Sequence, residues 1–295
     1  MENLVDVLVD TLLDTVKILP FLYITYVLME YIEHKMSDKN KKIIQKAGKF
    51  EPLFGGLLGM IPQCGFSAAA TNFYVGRIIS LGTLIAVYLS TSDEMLAILI
   101  SEQANPLTII KIVLLKAIIG IAVGFVIDAI LRKIHKNKQP IEHEQTSDIC
   151  EHDFIDGGKS NVFVSALKHT ASIIAYIFVI SLLLNVLFAY VGEEALGQFV
   201  LNSPVISNML AGLIGLIPNC AASVAITELY IKGVINFGTM MSGLLVGAGV
   251  GLLVLLKLNA RNQKENARII VILYTVGVVC GILIQATGLS GALGL

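Results

Sequence analysis

Two thiols and two hydroxyls stand at matching points of this chain. Cys64 and Ser67 lie in IPQCGFSAAATNFY, residues 61–74, and Cys220 and Ser223 lie in IPNCAASVAITELY, residues 217–230. Each motif carries a proline, Pro62 or Pro218, followed by a carboxamide, Gln63 or Asn219. Such a set supports two kinds of chemistry. Paired thiolates are ligands for a soft metal or a trivalent metalloid. Carboxamides and hydroxyls where a helix begins, together with its unpaired backbone N–H groups, hold an anion. Each residue also has a plainer reading. Buried cysteine is often a small apolar residue and nothing more, and serine packs well between membrane helices.

The duplication runs further. Thr71 matches Thr227 and Tyr74 matches Tyr230, all at a separation of 156 positions. Gly56 and Gly59 match Gly212 and Gly215, and Gly82-Thr83 matches Gly238-Thr239. At neighbouring offsets, residues 15–29 align with 170–184, and Gly120 and Gly124 with Gly277 and Gly281. Proline breaks a helix by removing an N–H and clashing with the preceding turn. In hydrocarbon the freed groups must find protein, water or ligand. Pro62 and Pro218 therefore mark tips buried inside protein. Paired interruptions in the two halves of a hydrophobic chain point to a transporter's substrate site.

Carboxylates add a second candidate. Ser90-Thr91-Ser92-Asp93-Glu94 aligns with Val246-Gly247-Ala248-Gly249-Val250, so one copy is acidic and the other glycine-rich. Asp93 or Glu94 is suited to bind a cation or carry a coupling proton if it lies in the membrane, where carboxylates are costly. Otherwise the segment is an external loop with solvated acids. Glu228, aligned with Asn72, is either a proton or metal ligand within its arm or a residue near the outer interface.

The elements that position these residues follow from composition. The chain has 295 residues, 55% of them hydrophobic and only 15% charged, with mean hydropathy +0.79. Soluble domains carry roughly 25% charged residues. Apolar runs at 18–29, 113–127, 173–191 and 269–284 need little extension to cross a bilayer core, which takes about 20 helical residues. The expectation is an all-α polytopic membrane protein. The net charge of −1 argues against a nucleic-acid partner. The first residues lack a basic start and carry Asp6, Asp10 and Asp14, so no cleaved signal is expected. Four cysteines form neither a disulfide framework nor a zinc spacing. No phosphate-binding glycine motif is present, and no cofactor is expected.

Residues 1–135 read as a first membrane repeat, 136–160 as a polar linker and 161–295 as a second repeat. Lys35, Lys39, Lys41, Lys42, Lys46 and Lys49 follow the first helix, Arg132, Lys133, Lys136 and Lys138 close the first repeat, and Lys257, Arg261, Lys264 and Arg268 form a third cluster. Placing all three in the cytoplasm requires an odd number of crossings per repeat, so the second repeat is inserted upside down. Each repeat then has about five helical segments, including a Pro-broken helical hairpin, and the two hairpin tips meet near the midplane. The linker is cytoplasmic and both termini are outside. Within it, His143, Cys150 and His152 stand among acids as either a weak metal-capture site or a solvated stretch.

IPQCGFS with a downstream STSDE, repeated as IPNCAAS with a glycine-rich counterpart, resembles the ten-transmembrane-segment heavy-metal exporter family. Its members are labelled arsenic efflux permeases and manganese transporters. The resemblance implies a substrate site at Pro62, Gln63, Cys64, Ser67, Pro218, Asn219, Cys220 and Ser223, with Asp93 and Glu94 beside it. The second repeat lacks the acidic copy, which breaks any fully symmetric two-ion site. The reading that results is a multi-pass secondary transporter of the cell membrane, exporting a metal or metalloid species and not an enzyme. Its partners are membrane lipid and a small solute or ion, and the reading admits a homo-oligomer. A transporter of a small inorganic or organic anion is the alternative. A membrane-embedded enzyme or lipid-handling protein is a remote one, since no catalytic cluster is visible.

Overall fold

The computed structural model describes residues 50–61, 64–101, 103, 105–136, 162–191 and 204–288, with scattered positions between 8 and 27. The expected linker, its metal-capture residues and the basic stretch 34–49 lie outside these. Among the described residues all regular structure is helical. Five helices make a first set: α1 Glu51–Gly59, α2 Cys64–Val75, α3 Leu81–Ser90, α4 Asp93–Ser101 and α5 Pro106–Lys136. After α6, Val162–Val191, five more follow: α7 Pro204–Gly215, α8 Cys220–Ile231, α9 Phe237–Val246, α10 Val250–Leu258 and α11 Gln263–Ala286.

Local chemistry sets matching boundaries in the two sets. Ser80 caps α3 by accepting from the Thr83 N–H at 3.1 Å. Asn236 caps α9 by accepting from the Thr239 N–H at 2.9 Å. Such caps satisfy donors that a helix start leaves orphaned. Beyond α2, Arg77 turns left-handed with φ 58°, and beyond α8 Gly233 does so with φ 71°. Six-residue closures follow: Ile78 N–H to Phe73 O at 2.8 Å, and Val234 N–H to Leu229 O at 2.9 Å. This is a standard C-terminal stop that glycine enters freely. Arginine there costs about 1 kcal/mol, so a second reason for Arg77 is needed.

Packing repeats as well. Helix α3 crosses α5 where Gly82 meets Gly124, and α9 crosses α11 where Gly238 meets Gly281. A Cβ on Gly124 would stand 2.6 Å from Gly82 O, and one on Gly238 would stand 2.6 Å from Gly281 O. Only hydrogen fits at either crossing. Helix α1 lies on α3 and α5, and α7 lies on α9 and α11. Between the sets, α2 lies on α10, α8 on α4, and α3 touches α9. A continuous core joins the two, with Leu84, Tyr88, Met240, Leu244 and Leu245 fully or almost fully buried.

Among the described residues, three stretches are long and apolar enough to cross a membrane: Pro106–Ile134, Phe237–Leu258 and Gln263–Ala286. At 1.5 Å per residue, the 24-residue helix Gln263–Ala286 reaches about 36 Å. Helix α5 shows how such a span is used. Leu107, Ile110, Leu114, Ile118, Val126 and Ile130 form an exposed apolar stripe. The opposite face, Ile112, Lys116, Gly120, Gly124 and Asp128, is buried. Apolar outside and partly polar inside is what a lipid-facing helix needs. Each expected hairpin segment holds two short helices, α1 with α2 and α7 with α8. The apolar stretch after residue 78 forms two helices, α3 and α4, separated at Thr91-Ser92.

Gly82→Leu should lower stability by about 1–3 kcal/mol, because a side chain cannot enter the α3–α5 crossing without moving backbone. Leu114→Ala, on the exposed stripe, should change it little. Thermal unfolding of the two variants in detergent tests this; equal losses would dismiss the close crossing as the stabilising contact.

Candidate functional site

Both motif serines occupy the fourth position of a short helix, Ser67 in α2 and Ser223 in α8. Ser67 is buried against the first turn of α10. A Cβ on Gly251 would stand 2.9 Å from the Ser67 backbone and from its Cβ. The two backbones therefore touch. One turn on, Thr71 Oγ1 lies 2.7 Å from Ser67 O, 3.1 Å from Gly251 O and 2.6 Å from Tyr88 Oη. Tyr88 Oη also reaches Gly251 O at 3.1 Å. Two hydroxyl protons are shared among these oxygens, fastening α2, α3 and α10 together.

In the second set, Thr227 donates to Ser223 O at 2.7 Å, as Thr71 does to Ser67. The rest of that knot is missing, because Leu244 occupies the place of Tyr88. Ser223 instead turns to the break between α9 and α10, where a Cβ on Gly247 would stand 3.6 Å from its Oγ. Ser67 thus meets the break's far end at Gly251 and Ser223 its near end at Gly247. Residues 156 positions apart converge on one interrupted helix.

The break itself is built from Gly247, Ala248 and Gly249, the last with φ 54°. Its counterpart, between α3 and α4, is buried: Ser90, Thr91 and Ser92 are all enclosed. Their hydroxyls turn back onto carbonyls, Ser90 to Ala86 O at 2.7 Å, Thr91 to Val87 O at 2.7 Å and Ser92 to Ser90 O at 3.2 Å. That part of the acidic segment is no solvated loop. Asp93 and Glu94 open α4, the helix on which α8 lies.

Of the other expected residues, Asn219 is the N-cap of α8, only 6% exposed, in extended conformation and making no capping bond to its own helix. Pro218 precedes it, half-buried. Cys64 and Cys220 are the first residues of α2 and α8. Pro62 and Gln63 lie outside the described residues, and the side chains of Cys64, Cys220, Asp93 and Glu94 outside the described side chains. Among those described, no three His, Cys, Asp or Glu residues form a group that could hold a metal ion. Glu228 does not join the tips: it sits near the far end of α8, paired with Lys232 at 2.8 Å.

Two features escaped the spacing argument. Lys116, in α5, is 1% exposed, and its Nζ donates to Leu244 O at 2.8 Å. The signal was a lysine inside an apolar run. The other is a cluster joining the foot of α2 to the start of α11. The Tyr74 hydroxyl donates to Glu265 Oε1, and Arg77 Nη1 reaches the same oxygen at 3.3 Å. The Arg77 guanidinium also lies over the Tyr74 ring, 5.8 Å from its centre. This is the second reason for a left-handed arginine. Asn262 and Asn259 donate to Glu265 Oε2 at 2.7 and 3.3 Å.

Tyr88→Phe should cost about 1–2 kcal/mol, since it strips a donor from buried oxygens. Adding Thr71→Val should cost less than the sum, because both act in one network. Thermal unfolding of the two single variants and the double variant measures the coupling; strict additivity would mean the knot is not a unit.

No curated relative and no solved structure matches the chain. A family described as "Putative, 10TM heavy-metal exporter" matches residues 3–193. That region holds the first set of helices, α6 and the IPQCGFS and STSDE motifs. With apolar helices of spanning length, a buried polar interior and this match over more than half its length, the chain is a membrane protein and belongs to that heavy-metal exporter family.

Proposed function

We propose that this chain is a secondary transporter of the cell membrane that exports a metal or metalloid species of the arsenic or manganese type. Residues 1–135 and 161–295 are two inverted-topology repeats joined by a cytoplasmic linker, with both termini outside. Helices α1 with α2 and α7 with α8 are hairpins whose tips, at Pro62 and Pro218, lie near the midplane. The matched caps, stops and glycine crossings support the repeat. Family membership supports export and argues against an enzyme. The observation that carries the site assignment is the convergence of Ser67 and Ser223 on the α9–α10 break.

Broken helices suit this work. Each break presents backbone donors and acceptors that a continuous helix would consume internally. Gln63, Cys64 and Ser67 from one tip, and Asn219, Cys220 and Ser223 from the other, enclose the substrate there. Asp93 and Glu94 supply a coupling or cation site. Cys64 and Cys220 are direct ligands if the substrate is a soft metal. A second reading, transport of a small anion, is favoured by the hydroxyls and helix starts gathered at the break.

Flux of arsenite, arsenate and Mn2+ in proteoliposomes tests transport itself. The two readings differ in which pair of residues matters. For an anion, Ser67→Ala with Ser223→Ala should slow flux more than Cys64→Ala with Cys220→Ala. For a soft metal or metalloid the order should reverse. Stability must be matched before rates are compared. If neither pair alters the flux of a transported solute, the tips are structural kinks and the site lies elsewhere.

A further inference from the structure

We propose that the start of α11 is a binding site for an anionic phospholipid, with Lys264 and Arg268 holding the headgroup phosphate and Arg261 beside them. This goes beyond the transport reading and does not rest on it. It needs only a chain that lies in a bilayer.

Helix α11 has two unlike faces. Ile269, Leu273, Gly277 and Gly281 are buried against other helices. Val271, Val279 and Leu283 form an exposed apolar stripe on the opposite side. Residues three and four apart on a helix share a face. Stepping back from Val271 in this way reaches Arg268 and then Lys264, and both are exposed. The apolar stripe therefore runs on into two cations. From Arg268 to Ala286 the helix rises about 27 Å, close to the ~30 Å of a hydrocarbon core. Lys264 and Arg268 thus fall where hydrocarbon gives way to headgroups. Arg261 is exposed in the turn just before the helix.

These cations are uncommitted. Among the described residues, none of the three takes part in a hydrogen bond or ion pair. The adjacent carboxylate, Glu265, is already engaged. It accepts from the Tyr74 hydroxyl, from Arg77 at 3.3 Å, and from Asn262 and Asn259 at 2.7 and 3.3 Å. Lys257, in the same basic cluster, is engaged too. Its Nζ donates to Ser172 Oγ at 3.0 Å and lies 5.2 Å from the centre of the Tyr176 ring. A phospholipid phosphate supplies the missing anion at headgroup level, on chains that lie along Val271, Val279 and Leu283. Guanidinium takes phosphate through paired N–H bonds, and ammonium takes it as a point charge. A free phosphate would match the cations but leave the apolar stripe unused.

The test uses the purified full chain in neutral detergent, with dioleoylphosphatidylglycerol or dioleoylphosphatidylcholine added. Thermal stabilisation and lipid retained in native mass spectrometry are the readouts. The anionic lipid should stabilise the native chain more than the zwitterionic one, and inorganic phosphate should not stabilise it. Lys264→Gln and Arg268→Gln should each weaken phosphatidylglycerol binding about fivefold, and together about tenfold or more. Neither side chain has a partner to lose, so stability without lipid should stay unchanged. Lys133→Gln removes an exposed cation near the end of α5 and should have little effect. The proposal is overturned if the two lipids bind alike, or if inorganic phosphate stabilises as well as the anionic lipid. It is overturned if Lys133→Gln weakens binding as much as Lys264→Gln, since the attraction is then to overall charge. It is also overturned if the native chain is an oligomer in size-exclusion chromatography that Lys264→Gln with Arg268→Gln separates, since the face then belongs to a second copy. Solute flux plays no part in these outcomes, so this site and the transport reading stand or fall separately.

Discussion

The structure depends on how freed backbone groups are satisfied where helices break inside an apolar interior. Each interrupted helix leaves N–H and C=O groups that water cannot reach, and every unmet group costs free energy. At the end of α3 the chain meets this need with its own hydroxyls. At the end of α9 it uses a lysine from another helix. In the first turn of α10 the buried Gly251 carbonyl also accepts from Thr71 and Tyr88.

Glycine makes this arrangement sterically feasible. Close crossings at Gly82–Gly124 and Gly238–Gly281 draw α3 onto α5 and α9 onto α11. A Cβ on Gly59 would stand 2.8 Å from Val87 O, and one on Gly215 would meet Gly243 O in the same way. Ser67 of α2 and Ser223 of α8 both come up to the α9–α10 break. The two sets share this scaffold but fill it differently. Tyr88 faces Leu244 in the correspondence, Lys116 faces Leu273, and Asp128 faces Gln285. Asp128 accepts from Ser80 Oγ at 2.7 Å, whereas Gln285 accepts from Asn208 at 2.6 Å.

Features that recur at fixed spacing were legible in the sequence. Ser67 and Ser223, Pro218 and the paired glycines announced themselves by duplication, and among the described residues they fall at helix starts, crossings or contacts with the α9–α10 break. What did not repeat was harder to see. Lys116 has no counterpart, and its partner carbonyl is 128 positions away. Tyr74 and Glu265 are 191 positions apart and join different sets. Duplication reports what the two halves share, while the groups that distinguish them act across the seam, where spacing along the chain carries no information. The three basic clusters bear on orientation, which is a property of the chain in its bilayer and not of its internal packing.

The tie between the foot of α2 and the start of α11 makes the two ends of the molecule unequal. At the corresponding foot of α8, Gly233 stands in place of Arg77 and Thr108 in place of Glu265. The same ion pair cannot form there, and the nearby Lys232–Glu228 pair lies along a single stretch of chain. Any movement that parts α2 from α11 must first undo an arginine, a tyrosine and a carboxylate that grip one another. A partly exposed ion pair contributes on the order of 1 kcal/mol or less, and 1 kcal/mol is about a fivefold bias in population. This small clasp biases the contact between α2 and α11 toward staying closed, with no equivalent at the foot of α8.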